Sequence, residues 1–210
     1  MSIKKNTCWF FGDSFTRGNG CHYKHEYYKS SYTKGCERWT TIVSNKLDMS
    51  EVNTAIGGES NVGILNSLIS NLSNIKKGDW VVLGDTRPIR VSSFDDNGNR
   101  VNIINDPHFD YTLGNSKYVF DYIYHEIVPK ETMYLEFYQS MFVNLLNELK
   151  GRGINTYYWK HTDIWFPTNK FNTITEDTNG VIENLHWSWK GHIQMAEFIL
   201  KQLENTNSLI

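Results

Sequence analysis

Two short motifs near opposite ends of the chain contain the side chains that acyl transfer requires. One is Gly-Asp-Ser, ending at Ser14, and the other is Glu-Asn-Leu-His, running from Glu183 to His186. A serine hydroxyl is a weak nucleophile until a base takes its proton. A histidine base in turn needs an acceptor for its other ring nitrogen, which fixes the tautomer. We therefore predict that Ser14 is the nucleophile, that His186 is its base and that Glu183 orients His186.

The oxyanion that develops during acyl transfer needs hydrogen-bond donors that already point at it. The backbone N–H of Ser14 is one candidate, and the N–H of Gly58, in the run Ile-Gly-Gly-Glu, is another. A glycine also suits a position where the backbone approaches a substrate closely. Ser14 and Gly58 are therefore the predicted backbone donors of an oxyanion hole.

Short apolar runs alternate along the chain with longer segments of helical periodicity. Strands are predicted at 7–11, 51–56, 80–83 and 154–159, of which the first and third read as buried, and helices at 38–47, 61–72, 135–149 and 189–204. Strands that alternate with helices indicate an α/β fold, in which helices cover both sides of a parallel sheet. Ligands bind at the carboxyl ends of the strands in such sheets. The loops after the strands are therefore the places to expect chemistry.

The middle of the chain departs from this alternation. Residues 90–94 and 99–104 flank an Asp-Asp-Asn-Gly run, which is a strong turn signal, and predict a hairpin. The stretch that follows, as far as Lys130, has no clean period. We interpret about 89–130 as an insertion into a single domain that spans 1–210, a length that can bury a sizeable core.

Taken in order, the motifs resemble those of the SGNH/GDSL hydrolase superfamily. Gly-Asp-Ser follows the first predicted strand, Gly-Gly follows the second, Gly-Asp-Thr-Arg follows the third, and the acid-x-x-His motif precedes the last helix. The resemblance implies a three-layer α/β/α sandwich with a flavodoxin-like parallel sheet. It also implies a serine esterase or deacetylase that cleaves O-acyl esters without a cofactor.

The chain departs from the family pattern at three positions. The family usually has Gly-x-Asn-Asp after the third strand, so the resemblance places Thr86 where a third oxyanion donor, an asparagine, is expected. A threonine hydroxyl has one hydrogen to donate and a shorter arm. The acid before His186 is Glu183 instead of the usual aspartate, and Trp187 stands where a proline is common. The run from Thr86 to Arg90 resembles phage-encoded members of the superfamily.

Other polar residues near the predicted site have simpler roles available. Arg87 and Arg90 are predicted to bind an anionic or sugar substrate, with anchoring of the insertion as the alternative. Asp13 is predicted to hold the turn before the nucleophile. Asn61 is predicted to cap the helix at 61–72, and His192 to pack within the last helix.

Composition and cysteine usage exclude several partners. A net charge of −2 provides no basic surface for nucleic acid or for an anionic membrane. No apolar run approaches the roughly 18–20 residues of a membrane-spanning helix, and the apolar start is too short for a signal peptide. Cys8, Cys21 and Cys36 predict a reduced protein, cytoplasmic by default, with a Cys21–Cys36 pair as the alternative outside a cell. Clusters at 21–25 and 106–110 lack a complete ligand set, so no metal is predicted.

Two functions from different classes remain open. The first is an esterase or deacetylase that acts on a small-molecule or polysaccharide ester, favoured by an aromatic, polar insertion that could stack on sugar rings. The second is a noncatalytic structural or carbohydrate-binding module, favoured by the missing asparagine and the altered acid. A virion-associated location follows if the chain is phage-encoded, and a homo-oligomer or virion assembly is compatible with either function.

Overall fold

The computed structural model describes residues 5–19, 37–87, 90–94, 100–103, 130–161, 187 and 189–207. In chain order, its strands are β1 (Thr7–Phe11), β2 (Ser50–Asn53), β3 (Trp80–Gly84), β4 (Val91–Phe94), β5 (Arg100–Ile103) and β6 (Asn155–Trp159). Its helices are α1 (Ser14–Arg17), α2 (Trp39–Lys46), α3 (Asn61–Asn71), α4 (Glu131–Gly151) and α5 (Trp189–Asn207).

Four of the strands form a parallel sheet in the order β2-β1-β3-β6. β1 lies between β2 and β3, so that Phe10 stands opposite Asn53 on one side and Val82 on the other. Because all four strands run the same way, their carboxyl ends meet at one edge of the sheet, where ligands bind in folds of this kind. The loops that follow β1, β2, β3 and β6 are therefore neighbours at that edge.

Alternating side chains of the sheet divide the core into two layers. Phe10 points to one face, where it belongs to a buried cluster with Trp39 of α2 and Ile199 of α5. Phe11 points to the other face and belongs to a cluster with Leu68 of α3 and with the buried residues of α4. Helices α2 and α5 therefore cover one face of the sheet, and α3 and α4 cover the other.

A buried histidine joins the two helices of the first layer. His192, in α5, is fully buried, and its Nδ1 accepts a hydrogen bond from the N–H of Trp39 at 3.5 Å. Its Nε2 lies 3.2 Å from the carbonyl oxygen of Asn19. Trp39 begins α2, where Arg38 provides no side-chain cap. The imidazole thus accepts from one of the N–H groups that a helix start leaves without a partner, and His192 has the packing role that the sequence predicts.

The predicted fold class is confirmed, because a parallel sheet has helices on both faces. β2 ends at Asn53, three residues before the predicted end, because the Asn53 side chain accepts from the N–H of Ala55 at 3.1 Å and so turns the chain away from the sheet. Helix α1 is absent from the prediction because four residues are too few to show a helical period. The strands of the predicted hairpin, β4 and β5, pair antiparallel.

The single domain and the insertion at about 89–130 stay predictions, since most of that stretch lies outside the described residues. None of the helices in the described ranges is long and apolar enough to cross a membrane.

Candidate active site

The Ser14 turn connects β1 to α1 at the carboxyl edge of the sheet. Ser14 is the first residue of α1 and is 3% exposed. Asp13 caps this helix, because its Oδ1 accepts from the N–H of Phe15 at 3.0 Å. Among the described residues, neither the hydroxyl nor the N–H of Ser14 has a hydrogen-bond partner. The turn therefore combines an uncommitted hydroxyl with an uncommitted donor, which a nucleophile beside an oxyanion hole requires.

The loop that carries Gly58 lies next to this turn. Gly58 is buried and has a φ of 73°, in the left-handed region that favours glycine. Its N–H also has no acceptor within the described part of the chain. The Asn53 side chain donates to the carbonyl of Thr16 at 2.8 Å, which ties the end of β2 to α1. This placement supports Gly58 as the second backbone donor, which stays a prediction.

Thr86 uses its hydrogen-bond donors inside the protein. Its hydroxyl donates to Asp13 Oδ2 at 3.1 Å, and its N–H donates to the Asn61 side-chain oxygen at 2.9 Å. Because a hydroxyl has one hydrogen, the Asp13 contact leaves it none for a substrate. The contacts therefore do not support Thr86 as the third oxyanion donor. In this arrangement it joins the loop after β3 to the Ser14 turn.

Asn61 holds Thr86 in place instead of capping α3. Besides accepting from the Thr86 N–H, its side chain donates to the Thr86 carbonyl oxygen at 2.8 Å. The predicted cap is wrong, because Ser60 takes that position and accepts from the N–H of Gly63 at 3.2 Å. The amide of Asn61 is instead used on a backbone 25 residues away, a contact that no local rule predicts.

Replacing Asn61 with alanine should therefore loosen the loop after β3. Both backbone groups of the buried Thr86 would lose their partner, and we expect a loss of about 2–3 kcal/mol in the free energy of unfolding, measured in urea. Asn71→Ala is the matched control, because it removes one local bond to the Ser67 carbonyl on the same helix. That variant should lose under about 1 kcal/mol. Equal losses in the two variants would contradict the role given to Asn61.

Arg90 forms an ion pair with Asp13, the residue before Ser14. Its Nη1 lies 2.5 Å from Asp13 Oδ2, and the two side chains are 12% and 5% exposed. Asp13 therefore accepts from Phe15, Thr86 and Arg90 together, as a residue that holds the nucleophile turn should. The contact matches the anchoring alternative for Arg90. Substrate binding by Arg90 and Arg87 stays a prediction.

A second carboxylate–histidine pair lies at the same edge of the sheet. Asp85, directly after β3, is buried, and its Oδ1 lies 3.0 Å from the Nδ1 of His161, two residues beyond β6. The same oxygen accepts from the His161 N–H at 2.5 Å. Asp85 Oδ2 accepts from the phenol of Tyr158 at 2.5 Å and from the amide of Gln139 at 3.1 Å. Four donors thus occupy one carboxylate and fix the position of the imidazole.

The pair was missed in the sequence, although the signal for it was available. The rule that places ligands at the carboxyl ends of strands applies to Asp85 and His161 as it does to Ser14. What the sequence does not show is that the loops after β3 and β6 meet, since these residues are 76 positions apart.

A small pocket lies between the Ser14 turn and the Asp85–His161 pair. Its volume is about 10 Å³, room for about one water-sized group. The residues that line it come from the Ser14 turn and from the loops after β3 and β6, together with Trp187: Asp13, Phe15, Asp85, Thr86, Arg87, Arg90, Trp159, His161 and Trp187.

Glu183 and His186, the predicted acid and base, lie outside the described residues, as do Cys21, Cys36 and the clusters at 21–25 and 106–110. Trp187, which follows His186 in the chain, is described. Its ring packs against that of Phe15, which follows Ser14, with ring centroids 4.9 Å apart. The residues next to the predicted base and the predicted nucleophile are therefore in contact.

The described residues contain no group of three or more His, Cys, Asp or Glu side chains that could hold a metal ion. Burial raises the pKa of the Cys8 thiol to about 12. Because the thiolate is the reactive form of cysteine, Cys8 is not a nucleophile near neutral pH.

No protein-family model and no curated protein sequence matches the chain. Solved structures that it is similar to include an acetyl xylan esterase from the rumen bacterium Butyrivibrio proteoclasticus, with 13% identity and a TM-score of 0.49 over 100% of this chain and 66% of that one. An acetylxylan esterase from Geobacillus stearothermophilus has 14% identity and a TM-score of 0.46 over 97% of this chain and 96% of that one. A lipase/acylhydrolase from Enterococcus faecalis has 12% identity and a TM-score of 0.42 over 96% of each chain. These three solved structures are esterases and an acylhydrolase, and at this level of similarity they assign no role to any residue of this chain.

Proposed function

We propose that the protein is a serine hydrolase that cleaves O-acyl esters, with Ser14 as nucleophile, His186 as general base and Glu183 as the acceptor that orients His186. The observation that supports the proposal is the hydrogen bonding in the Ser14 turn. The neighbouring carboxylate of Asp13 accepts from three donors, whereas the hydroxyl of Ser14 makes no hydrogen bond to any described residue. A buried turn that is held by one side chain and leaves the next one uncommitted is suited to presenting a nucleophile.

The contact between Trp187 and Phe15 supports His186 as the base. Trp187 follows the predicted base and Phe15 follows the predicted nucleophile, and the centroids of their rings lie 4.9 Å apart. The Trp187 ring also lies 6.5 Å from that of Trp159. A general base must reach the proton that it removes, directly or through one water.

In the proposed reaction, Ser14 Oγ attacks the carbonyl carbon of the ester while His186 takes the hydroxyl proton. The N–H groups of Ser14 and Gly58 donate to the oxyanion that forms. The C–O bond to the alcohol then breaks, and His186 returns its proton to the departing oxygen. Water attacks the acyl-serine in the same way and releases a carboxylic acid and free Ser14.

The contacts of Thr86 limit the expected rate. The Thr86 hydroxyl donates its hydrogen bond to Asp13. In the proposed reaction the oxyanion therefore accepts from the backbone N–H groups of Ser14 and Gly58 alone. Losing one oxyanion donor costs about 10²–10³ in kcat in related enzymes. We therefore propose a slow esterase whose activity is measured most sensitively on activated esters.

The substrate that we propose is an O-acyl ester of a carbohydrate. Aromatic rings suit the apolar faces of sugars, and the sequence of the predicted insertion at about 89–130 is rich in tyrosine and phenylalanine. The near-neutral charge of the chain, −2, also suits a neutral ester.

Covalent labelling tests the proposal directly. The wild-type protein should hydrolyse p-nitrophenyl acetate and should react with a fluorophosphonate, which forms a bond to an activated serine hydroxyl. Peptide mass spectrometry should locate the added mass on Ser14. The fraction of hydrolytic activity lost should equal the fraction of protein labelled. A label on another serine would exclude Ser14 as the nucleophile.

The second candidate function is a noncatalytic carbohydrate-binding or structural module on the same fold. The commitment of Thr86 to Asp13 is the observation that favours it. A folded protein that neither hydrolyses acetate, butyrate and octanoate esters nor takes up the phosphonate, but binds saccharides, would establish this alternative.

A further inference from the structure

The buried imidazole of His192 contacts two residues that hold the Ser14 turn. Its Nδ1 accepts from the N–H of Trp39 at 3.5 Å, and its Nε2 lies 3.2 Å from the carbonyl oxygen of Asn19. The N–H of Asn19 donates to the Ser14 carbonyl at 3.0 Å. The indole N–H of Trp39 donates to the Phe15 carbonyl at 2.9 Å. Both ring nitrogens therefore bond to residues that in turn bond to the backbone of the turn.

These contacts require one form of the imidazole. The N–H of Trp39 is a donor, so Nδ1 accepts from it and carries no hydrogen. The carbonyl oxygen of Asn19 is an acceptor, so Nε2 carries the hydrogen of the neutral ring and donates it. An acceptor on one side and a donor on the other join two backbone groups of opposite kind. A leucine of similar size would make neither bond.

The same ring also contacts Trp187, the residue after the proposed base. The ring centroids of His192 and Trp187 lie 5.9 Å apart, and the ring planes meet at 77° in an edge-to-face arrangement. Trp187 packs in turn against Phe15, the residue after Ser14. His192 therefore contacts both the residues that support the nucleophile turn and the residue next to His186.

Directional bonds distinguish His192 from the apolar residues of the same helix. Met195 and Ile199 of α5 belong to the buried cluster that contains Phe15, Trp39 and Trp187. Apolar packing has no direction, whereas a hydrogen bond weakens steeply when its angle changes. Catalysis needs directional support of this kind, because a displacement of about 1 Å between reacting groups costs about 10² in rate.

We propose that His192 is a positioning residue for the hydrolysis. It holds the Ser14 turn and Trp187 in the arrangement in which His186 takes the proton of Ser14. The imidazole acts through its two hydrogen bonds and its ring contact, and it exchanges no proton with the substrate. This inference rests on the proposed function and deepens it, because it gives helix α5 a part in aligning the nucleophile with its base.

Substitution of His192 tests the inference by separating kcat from KM. His192→Leu should lower kcat for p-nitrophenyl acetate by about 10–10²-fold. KM should stay within about threefold, because binding of the ester does not depend on the alignment of the base. His192→Gln, whose amide can donate to the Asn19 carbonyl, should recover part of the lost kcat. Equal kcat values in the leucine and glutamine variants would contradict the role of the hydrogen bonds.

Ile199→Val is the matched control. Ile199 is fully buried seven residues further along α5, and the change removes packing without removing a hydrogen bond. This variant should keep kcat within about twofold of wild type, with each protein assayed at a temperature where circular dichroism shows it folded. His192→Asn, whose amide is too short to reach Asn19, replaces the leucine variant if that protein does not fold. A loss in Ile199→Val as large as that in the His192 variants would overturn the inference.

A double variant shows whether His192 acts through the base. In a His186→Ala protein, adding His192→Leu should lower the remaining rate by less than about threefold, because the base that His192 aligns is already gone. The same fold-loss with and without His186 would assign His192 a purely structural role and overturn the inference.

A measurement without turnover separates this inference from the proposed function. Wild-type protein should show a nuclear Overhauser effect between the ring protons of Phe15 and Trp187, and His192→Leu should weaken it. The Phe15 signals are assigned by their absence in Phe15→Leu. A weakened effect, when the wild type hydrolyses no ester, retains the link from His192 to the Ser14 turn and rejects the esterase. Wild-type hydrolysis with an unchanged effect in His192→Leu rejects the positioning role.

Discussion

The Ser14→Ala variant is expected to lose at least about 10³-fold in kcat/KM for p-nitrophenyl acetate, because no other atom at the turn can form the acyl-enzyme. The melting temperature of the variant should remain within about 2 °C of that of the wild type. The reason is that the Ser14 hydroxyl makes no hydrogen bond to the described residues, while Asp13, which caps α1, is unchanged. Loss of activity with unchanged stability is the signature of a chemical role rather than a structural one.

The control for this variant is Ser140→Ala. Ser140 is an exposed serine on α4 whose hydroxyl donates to the carbonyl of Glu136 at 2.8 Å. This substitution makes the same chemical change away from the proposed site and should leave both hydrolysis and melting temperature near wild type. A Ser14→Ala protein that keeps more than about a tenth of the wild-type rate would contradict the proposed mechanism.

A double variant connects the prediction to His186. Nucleophile and base act as a unit, so removing either costs about as much as removing both. The kcat/KM of the double variant Ser14→Ala/His186→Ala should therefore lie within a few-fold of that of Ser14→Ala. Losses that multiply in the double variant would show that His186 acts independently of Ser14.

The order of strands and helices along the chain could be predicted, because each element depends on a local pattern. Apolar runs such as Thr7–Phe11 are short and end at glycine, so both the strand and the loop that carries Ser14 could be read from the sequence. The positive φ of Gly58 is a position that favours glycine, whereas its role as an oxyanion donor stays a prediction. In each case the information lies within a few residues of the feature.

The contacts that build the site could not be predicted, because they join distant loops. Thr86 stands where a substrate contact was expected, yet its hydroxyl meets a carboxylate 73 positions away, on Asp13. Asn61 and His161 have the same character, since each bonds to the loop after β3 from a different element. A sequence states which groups can donate and accept, whereas the choice among partners depends on which strand edges the fold brings together.

The Arg90→Met variant is expected to lose about 3 kcal/mol or more in the free energy of unfolding, measured in urea. Removing one member of a buried ion pair leaves the other charge uncompensated, which costs about 3–5 kcal/mol. Asp13 keeps its bonds to Phe15 and Thr86 in this variant but loses its counter-charge. The loss should persist at high salt, because buried pairs are screened less than exposed ones.

Arg38→Met is the matched control, since it removes the same side chain from a more exposed pair. Arg38 lies 3.0 Å from Glu51, and its side chain is 38% exposed. We expect a loss of at most about 1 kcal/mol there. Similar losses for the two arginine variants would show that the Asp13 pair contributes no more than a surface contact.

A second substitution decides whether the loss in the free energy of unfolding of Arg90→Met comes from the uncompensated charge of Asp13. Asparagine at position 13 still caps the helix through its one side-chain oxygen, and its amide nitrogen can donate to the hydroxyl of Thr86, but it has no charge to compensate. Asp13→Asn/Arg90→Met should therefore be more stable than Arg90→Met alone, with a coupling of about 1–3 kcal/mol between the two changes. Arg90 immediately precedes β4. If the double variant regains stability but not hydrolysis, this arginine also positions the Ser14 turn for the reaction.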